Sequence, residues 1–190
     1  MNMYEIILSY LDQAGHASIP SICQQVNNHP LFMKERKKPV KHAHIKSVIS
    51  RKRDLFYVQN DMVSLLPERN LVSLTANIEK CGSPWFQVKV DFNHKNFIFF
   101  ELNLEPRQSL EYKPIVPGST KEFKQEIYRL NIWNWEPNYE KDGIVLDGTS
   151  WSVRLETRSK MYKSEGLQCF PKEWPNFCRA LTKLTGKNII

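Results

Sequence analysis

Between residues 34 and 53 the chain places Lys34, Arg36, Lys37, Lys38, Lys41, Lys46, Arg51, Lys52 and Arg53 against a single acid, Glu35. This segment carries +8, while the whole chain carries +7, so everything outside it sums to −1. Positive charge concentrated in one stretch is what contact with a polyphosphate backbone requires. The bland alternative is a solvated, charged loop, and the residue pattern argues against it. From Lys41 to Arg53 there is no acid, and Ile45, Val48 and Ile49 recur at helical spacing. At about 100° per residue, Ser47 points nearly opposite Ile45 and Ile49, and Ala43, His44, Ser50 and Arg51 lie within about 60° of it. An outer face of small, polar and basic side chains can approach base edges without steric conflict.

Other residue sets point to chemistry less firmly. Asp147, Glu156 and Arg158 loosely match the Asp and Glu-x-Lys arrangement by which restriction-type nucleases hold Mg²⁺. Arg158 stands where a lysine belongs, and arginine does not release a proton near neutral pH. Asp147-Gly148 also reads simply as a turn. Trp133, Trp135, Trp151, Phe170, Trp174 and Phe177 could line a pocket or stack on bases, but in a small domain such rings more often form the core. Cys23, Cys81, Cys169 and Cys178 make no Cys-x-x-Cys pair, and the histidines complete no zinc spacing. Glycines are isolated, so no phosphate-binding loop is expected. No catalytic residue, metal ligand or cofactor site is assigned, and the expectation is a protein that is not an enzyme.

The elements that would carry the basic face follow from periodicity. Tyr4, Ile7, Leu8 and Leu11 line one side of a first helix, with Gly15 just past its end. Ile19, Ile22, Cys23 and Val26 line a second, entered through Ser18 and Pro20. The third, basic helix spans about 41–53. Leu55–Val58 and Met62–Leu66 then read as strands of a hairpin turned at Gln59-Asn60-Asp61. Helix, helix, basic helix, hairpin is the order of a winged helix-turn-helix.

After a polar link at Pro67–Asn70 the composition turns β-prone and aromatic. Strands are expected at Leu71–Ile78, Trp85–Phe92 and Asn96–Leu104, and a Pro-rich loop over Pro106–Gly118. Ser119-x-x-Glu122 opens a helix as a capping box. Ile132–Trp135 reads as a strand or packed extended segment. Further strands are expected at Trp151–Thr157 and Met161–Gly166, and a closing helix over Pro171–Thr185. The fold class is therefore α+β. A winged helix-turn-helix domain over 1–67 is followed by an α+β domain over 70–190, an antiparallel sheet with two helices on one face.

Ile45, Ile49, Ser50, Arg51, Leu55, Phe56, Val63 and Leu65 resemble the "I…IS…LF……L" tail of HARE-type winged helix-turn-helix modules. Such modules occur at the N-termini of bacterial regulators and restriction-type enzymes. The resemblance covers residues 3–66 and implies a winged-helix fold; modules of this kind also serve in protein interaction. Trp135, Tyr139, Asp147-Gly148, Trp151, Val153, Gly166, Phe170-Pro171, Trp174 and Phe177 resemble a run found in small, uncharacterised bacterial α+β proteins. That likeness implies a fold unit and carries no catalytic residues.

The expected role is that of a bacterial DNA-binding regulator. Lys41, His44, Lys46, Ser47, Ser50 and Arg51 would enter a major groove of double-stranded DNA. Lys34, Arg36, Lys37, Lys38, Arg53 and the hairpin would hold phosphates. The C-terminal domain would serve dimerisation, effector binding or a protein partner, and a homodimer would double the few base pairs one short helix reads. The alternatives are a protein-interaction module without DNA and a Mg²⁺-dependent nuclease. No apolar run reaches the ~20 residues a membrane helix needs. The N-terminus lacks the basic start of a signal peptide, so a cytoplasmic protein is expected.

Overall fold

The computed structural model describes residues 2–30, 32, 38–80, 82, 84–102, 117–140 and 147–189. The class is α+β, and the chain divides into two compact units, Met1–Asn70 and Leu71–Ile190. No helix among the described residues is long and apolar enough to cross a membrane.

In the first unit, α1 spans Met3–Ala14. Glu5 accepts the Asn2 backbone N–H at 2.9 Å, which satisfies one orphan donor at the helix start. Gly15 ends the helix at φ 75°, a conformation strained for residues with a Cβ, and donates to Leu11. The chain then forms β1, His16–Ser18, before α2, Ile19–Asn28. Ser18 caps α2 by accepting the Ser21 N–H at 3.3 Å. Pro30 and Phe32 are helical too, and the helix labelled α3 spans His42–Arg51. Strands β2, Phe56–Gln59, and β3, Met62–Leu65, follow. Asn60 and Asp61 between them both take positive φ, 49° and 58°, the conformation of a tight two-residue hairpin turn. The sheet order is β1-β3-β2, all antiparallel. Ile7, Leu11, Ile22, Val26, Ile45, Leu55 and Val63, each at most 1% exposed, form the core. A 3-10 turn, Pro67–Arg69, closes the unit.

The second unit is a six-stranded sheet in the order β6-β5-β4-β8-β9-β7. Its strands are β4 Leu71–Lys80, β5 Trp85–Asp91, β6 Asn96–Leu102, β7 Asn138–Tyr139, β8 Thr149–Thr157 and β9 Met161–Leu167. Helices α4, Thr120–Leu130, and α5, Trp174–Thr185, meet one face of the sheet. Phe123 of α4 stacks on Phe92 at 6.3 Å between ring centres, and Trp174 of α5 meets Trp151 at 4.6 Å. Val88, Val90, Leu74, Ala76, Val153 and Leu155 are buried on that face. Ser119 caps α4 by accepting the Glu122 N–H.

Three expectations for this unit need correction. The sheet is not wholly antiparallel, because β7 runs parallel to β9. Residues Ile132–Asn134 form a 3-10 turn rather than a strand. Ile132 and Trp133 are both buried, and the turn follows a left-handed Asn131 at φ 50° that ends α4. The final helix begins at Trp174, not at Pro171. The expected loop over Pro106–Gly118 lies almost wholly outside the described residues.

The Trp151 neighbourhood accounts for the spacing of the C-terminal run. Trp135, Tyr139, Phe170 and Trp174 all lie within 6.3 Å of Trp151, ring centre to ring centre. Trp151 donates its indole N–H to the Cys169 carbonyl at 2.8 Å. Gly166 pairs directly with Trp151 across the ladder, and a Cβ there would lie 2.8 Å from the Trp151 nitrogen and 2.7 Å from the Cys169 oxygen. Only a residue without a side chain lets the indole reach its acceptor.

Candidate nucleic-acid interface

The orientation of α3 is fixed at both ends and along one face. Ile45 and Ile49, one turn apart, are 0% and 4% exposed and anchor the inner side. At the entrance, the Asn27 side chain on α2 accepts the Val40 N–H at 2.7 Å and donates to the Val40 carbonyl at 3.0 Å. The buried Cys23 thiol also donates to that carbonyl, at 3.2 Å. At the exit, Leu55 donates its N–H to Lys52, and Leu55 and Phe56 are buried.

This anchoring turns the opposite side of α3 to solvent. Lys41, His44, Lys46, Ser47, Ser50, Arg51 and Arg53 are all exposed, as is Lys38 before the helix. Val48, expected to face inward, is only half-buried. Lys52 is half-buried and lies over the Tyr4 ring at 5.0 Å, so it serves packing within the unit. Lys34, Arg36 and Lys37 lie outside the described residues.

The outer side chains are held by hydrogen bonds within the helix. Arg51 donates Nε to the Ser47 carbonyl at 3.3 Å, which occupies one of its five N–H donors. Arg53 donates Nε to the Ser50 carbonyl and Nη2 to the Ser50 hydroxyl, at 3.1 and 3.4 Å. Ser50 thus orients Arg53. His44 accepts the Lys41 N–H on Nδ1 at 3.2 Å, which puts the proton of the neutral ring on Nε2, available as an outward donor.

Beside α3 lies an apolar groove of about 450 Å³, walled by Ile19, Ile49, Phe56, Tyr57 and Val58 and rimmed by Lys46, Ser50, Arg53 and Asp61. Tyr57 and Val58 are each 48% exposed. The hairpin contains no Lys or Arg, and its tip bears Asp61, 3.9 Å from the Lys46 ammonium. The hairpin itself therefore offers no cation.

The Asp147, Glu156, Arg158 set is not assembled. Asp147 precedes β8 and Glu156 lies near its far end, so roughly 20 Å or more of extended strand separates them. Glu156 accepts from the Ser73 hydroxyl at 2.9 Å. No group of three or more His, Cys, Asp or Glu among the described residues is placed to hold a metal ion. Trp133, Trp135, Trp151, Trp174 and Phe177 are buried and Phe170 half-buried, so the aromatic set forms core. Burial also pushes the Cys178 thiol up to about 12, which leaves it a protonated apolar filler.

The devices that hold α3, chiefly Asn27 and Cys23 on Val40, escaped the sequence reading. Asn27-Asn28-His29-Pro30 reads as a helix stop, and nothing local tells which backbone a side-chain amide will find. No protein-family model, curated protein or solved structure matches the chain at a significant level.

Proposed function

We propose that the N-terminal unit is a winged helix that binds double-stranded DNA, and that the chain acts as a regulator in the cytoplasm. The observation that carries this reading is the outer face of α3. It presents Lys41, His44, Lys46, Ser47, Ser50 and Arg51 to solvent with no acid among them, on a helix anchored by buried Ile45 and Ile49. The β1-β3-β2 sheet beside α1, α2 and α3 and the likeness to HARE-type modules support it. In this reading α3 enters the major groove, Arg51 uses its terminal N–H pair on a guanine edge, and Lys38, Lys41 and Arg53 meet phosphates. The C-terminal unit supplies self-association or a partner surface.

Fluorescence anisotropy on duplexes of defined and random sequence, across a salt series, tests this. Arg51→Ala costs about 1–3 kcal/mol on the preferred site and relaxes preference at one position. Lys41→Ala weakens all duplexes alike and lowers the log–log salt slope by about one unit. Parent protein that shows no salt-dependent binding refutes the reading. A second reading, a protein-interaction module, is favoured by the apolar groove and by exposed Tyr57, Val58 and Met62 on a hairpin without cations.

A further inference from the structure

Strand β2 forms one edge of the β1-β3-β2 sheet. Asn60 and Asp61 close a two-residue hairpin, so Gln59 and Met62 exchange hydrogen bonds, and so do Tyr57 and Ser64. The Leu66 N–H, donated to the Leu55 carbonyl at 2.9 Å, continues the same alternation. Phe56 and Val58 hold the intervening positions, so the Val58 N–H and carbonyl and the Phe56 carbonyl point away from β3. Among the described residues these three groups have no partner, while the Phe56 N–H donates to the Lys52 carbonyl. The apolar groove lies along this edge, because Phe56, Tyr57 and Val58 all line it although their side chains alternate between the two faces of the strand. Its other wall is α3. Lys46 stands by the hairpin tip, 3.9 Å from Asp61, and Arg53 stands by the base of the strand, three residues before Phe56. The step from Lys46 to Arg53 spans about 10 Å along a helix.

We propose that the groove takes an extended segment of a partner protein as an added strand beside β2, with the pattern acid-x-apolar-x-acid. The outward backbone groups of Phe56 and Val58 select an extended main chain, which brings the complementary carbonyl and N–H groups. A helix spends its own backbone groups internally and a small apolar anion has none, so neither occupant uses Val58. The residue opposite Val58 shares its face of the sheet. It meets the apolar walls, buried Ile19 and Ile49 among them, and is therefore apolar. The residues two before and two after it share that face and lie about 7 Å to either side. That spacing brings them within side-chain reach of Lys46 and Arg53, and opposite charge makes them acidic. Asp61 competes for Lys46, so the contact with Arg53 is the stronger. The inference rests on the protein-interaction reading and requires no DNA; Ser47 and Arg51 stand outside the groove's lining.

Selection of short peptides from a random displayed library on the full chain, followed by fluorescence anisotropy of the selected peptides, tests it. The selected sequences are expected to share an apolar residue with Asp or Glu two positions away on each side. Hydrogen exchange followed by NMR should show the Val58 amide slowed by such a peptide. Val58→Pro removes the outward N–H and leaves the β2–β3 hydrogen bonds in place, and it should weaken the peptide about tenfold. Lys46→Glu with Arg53→Glu should also weaken it about tenfold. A peptide with both acids changed to lysine should bind that double variant again, a rescue that a misfolded groove could not produce. Peptides of another pattern, an unprotected Val58 amide, binding indifferent to Val58→Pro, or charge reversal without rescue overturns the added strand and leaves the protein-interaction reading. No selected peptide at all removes both. Duplex titration of the same protein tests the other reading: salt-dependent binding without a selected peptide leaves the DNA reading standing, and peptide binding without duplex binding removes that reading alone.

Discussion

On α3, Lys41, Lys46, Ser47 and Arg51 stand in solvent, and among the described residues their hydrogen bonds and ion contacts run to their own helix or to one exposed aspartate. In the second unit Trp151 is 2% exposed and touches four other rings. Both sets look chemically capable in the sequence. One is held outward by a buried apolar face, and the other is consumed in making a core. The contrast teaches that a residue's capacity for recognition depends on what its neighbours leave unsatisfied. A cation on a helix whose inner face is already anchored keeps its donors for a ligand, whereas an indole at a sheet–helix seam finds its acceptor within the fold.

The largest effect expected from breaking this comparison is at Trp151. Trp151→Ala removes the ring around which the cluster packs and should destabilise the C-terminal unit by about 3–5 kcal/mol. Chemical denaturation followed by tryptophan fluorescence measures it, since every Trp lies beyond residue 70. Helical circular dichroism from the N-terminal unit should persist through that transition. A single shared transition would mean that the two units do not fold separately.

Asn27→Ala sharpens the other side of the comparison. It removes both amide hydrogen bonds to Val40 while leaving the α3 surface untouched. A loss of about 1–3 kcal/mol of unit stability is expected, together with weaker duplex binding because the helix entrance is no longer fixed. Unchanged stability in urea melts would show that the clamp carries no weight.

A smaller effect is expected at the hairpin tip. Asp61→Asn removes the carboxylate 3.9 Å from the Lys46 ammonium, in a pair exposed on both sides. Duplex affinity should rise by less than about 1 kcal/mol, with thermal stability nearly unchanged. A fall in affinity would mean that Asp61 itself contacts the ligand.

The smallest concerns the β5–β6 turn, where Asp91 accepts the backbone N–H groups of Asn93 and His94 and meets the His94 ring at 2.8 Å. Hydrogen bonds from His94, backbone first, hold the Asp91 carboxyl below its ordinary 3.8. The hydrogen bond to Asp91 raises His94 above its ordinary 6.5. A raised histidine stabilises fully below 6.5 and loses that contribution as pH rises through its folded value; a lowered carboxylate stabilises above 3.8 and loses it as pH falls. The contact is therefore strongest between those two pH values. NMR titration of the His94 ring should give a raised pKa that falls back in Asp91→Asn.

The residue pattern alone determined α1, α2 and α3 of the first unit, because apolar residues three and four apart can share only one face of a helix, but not the helical state of Pro30 and Phe32. It also determined which side of α3 is basic. It determined the hairpin turn as well, since Asn60-Asp61 tolerates positive φ. It did not reveal β1: the three residues His16–Ser18 carry no alternation, and they become a strand only because β3 presents its edge. Nor could it show that β8 lies beside β4, that β7 runs parallel to β9, or that Asp147 and Glu156 stand a strand's length apart. Those are long-range pairings, set by which faces bury together rather than by any local preference. The fate of the tryptophans was settled in the same way: the sequence specified aromatic rings at helical and strand spacings, and only the packing of α5 on β8 decided that they meet each other instead of a ligand.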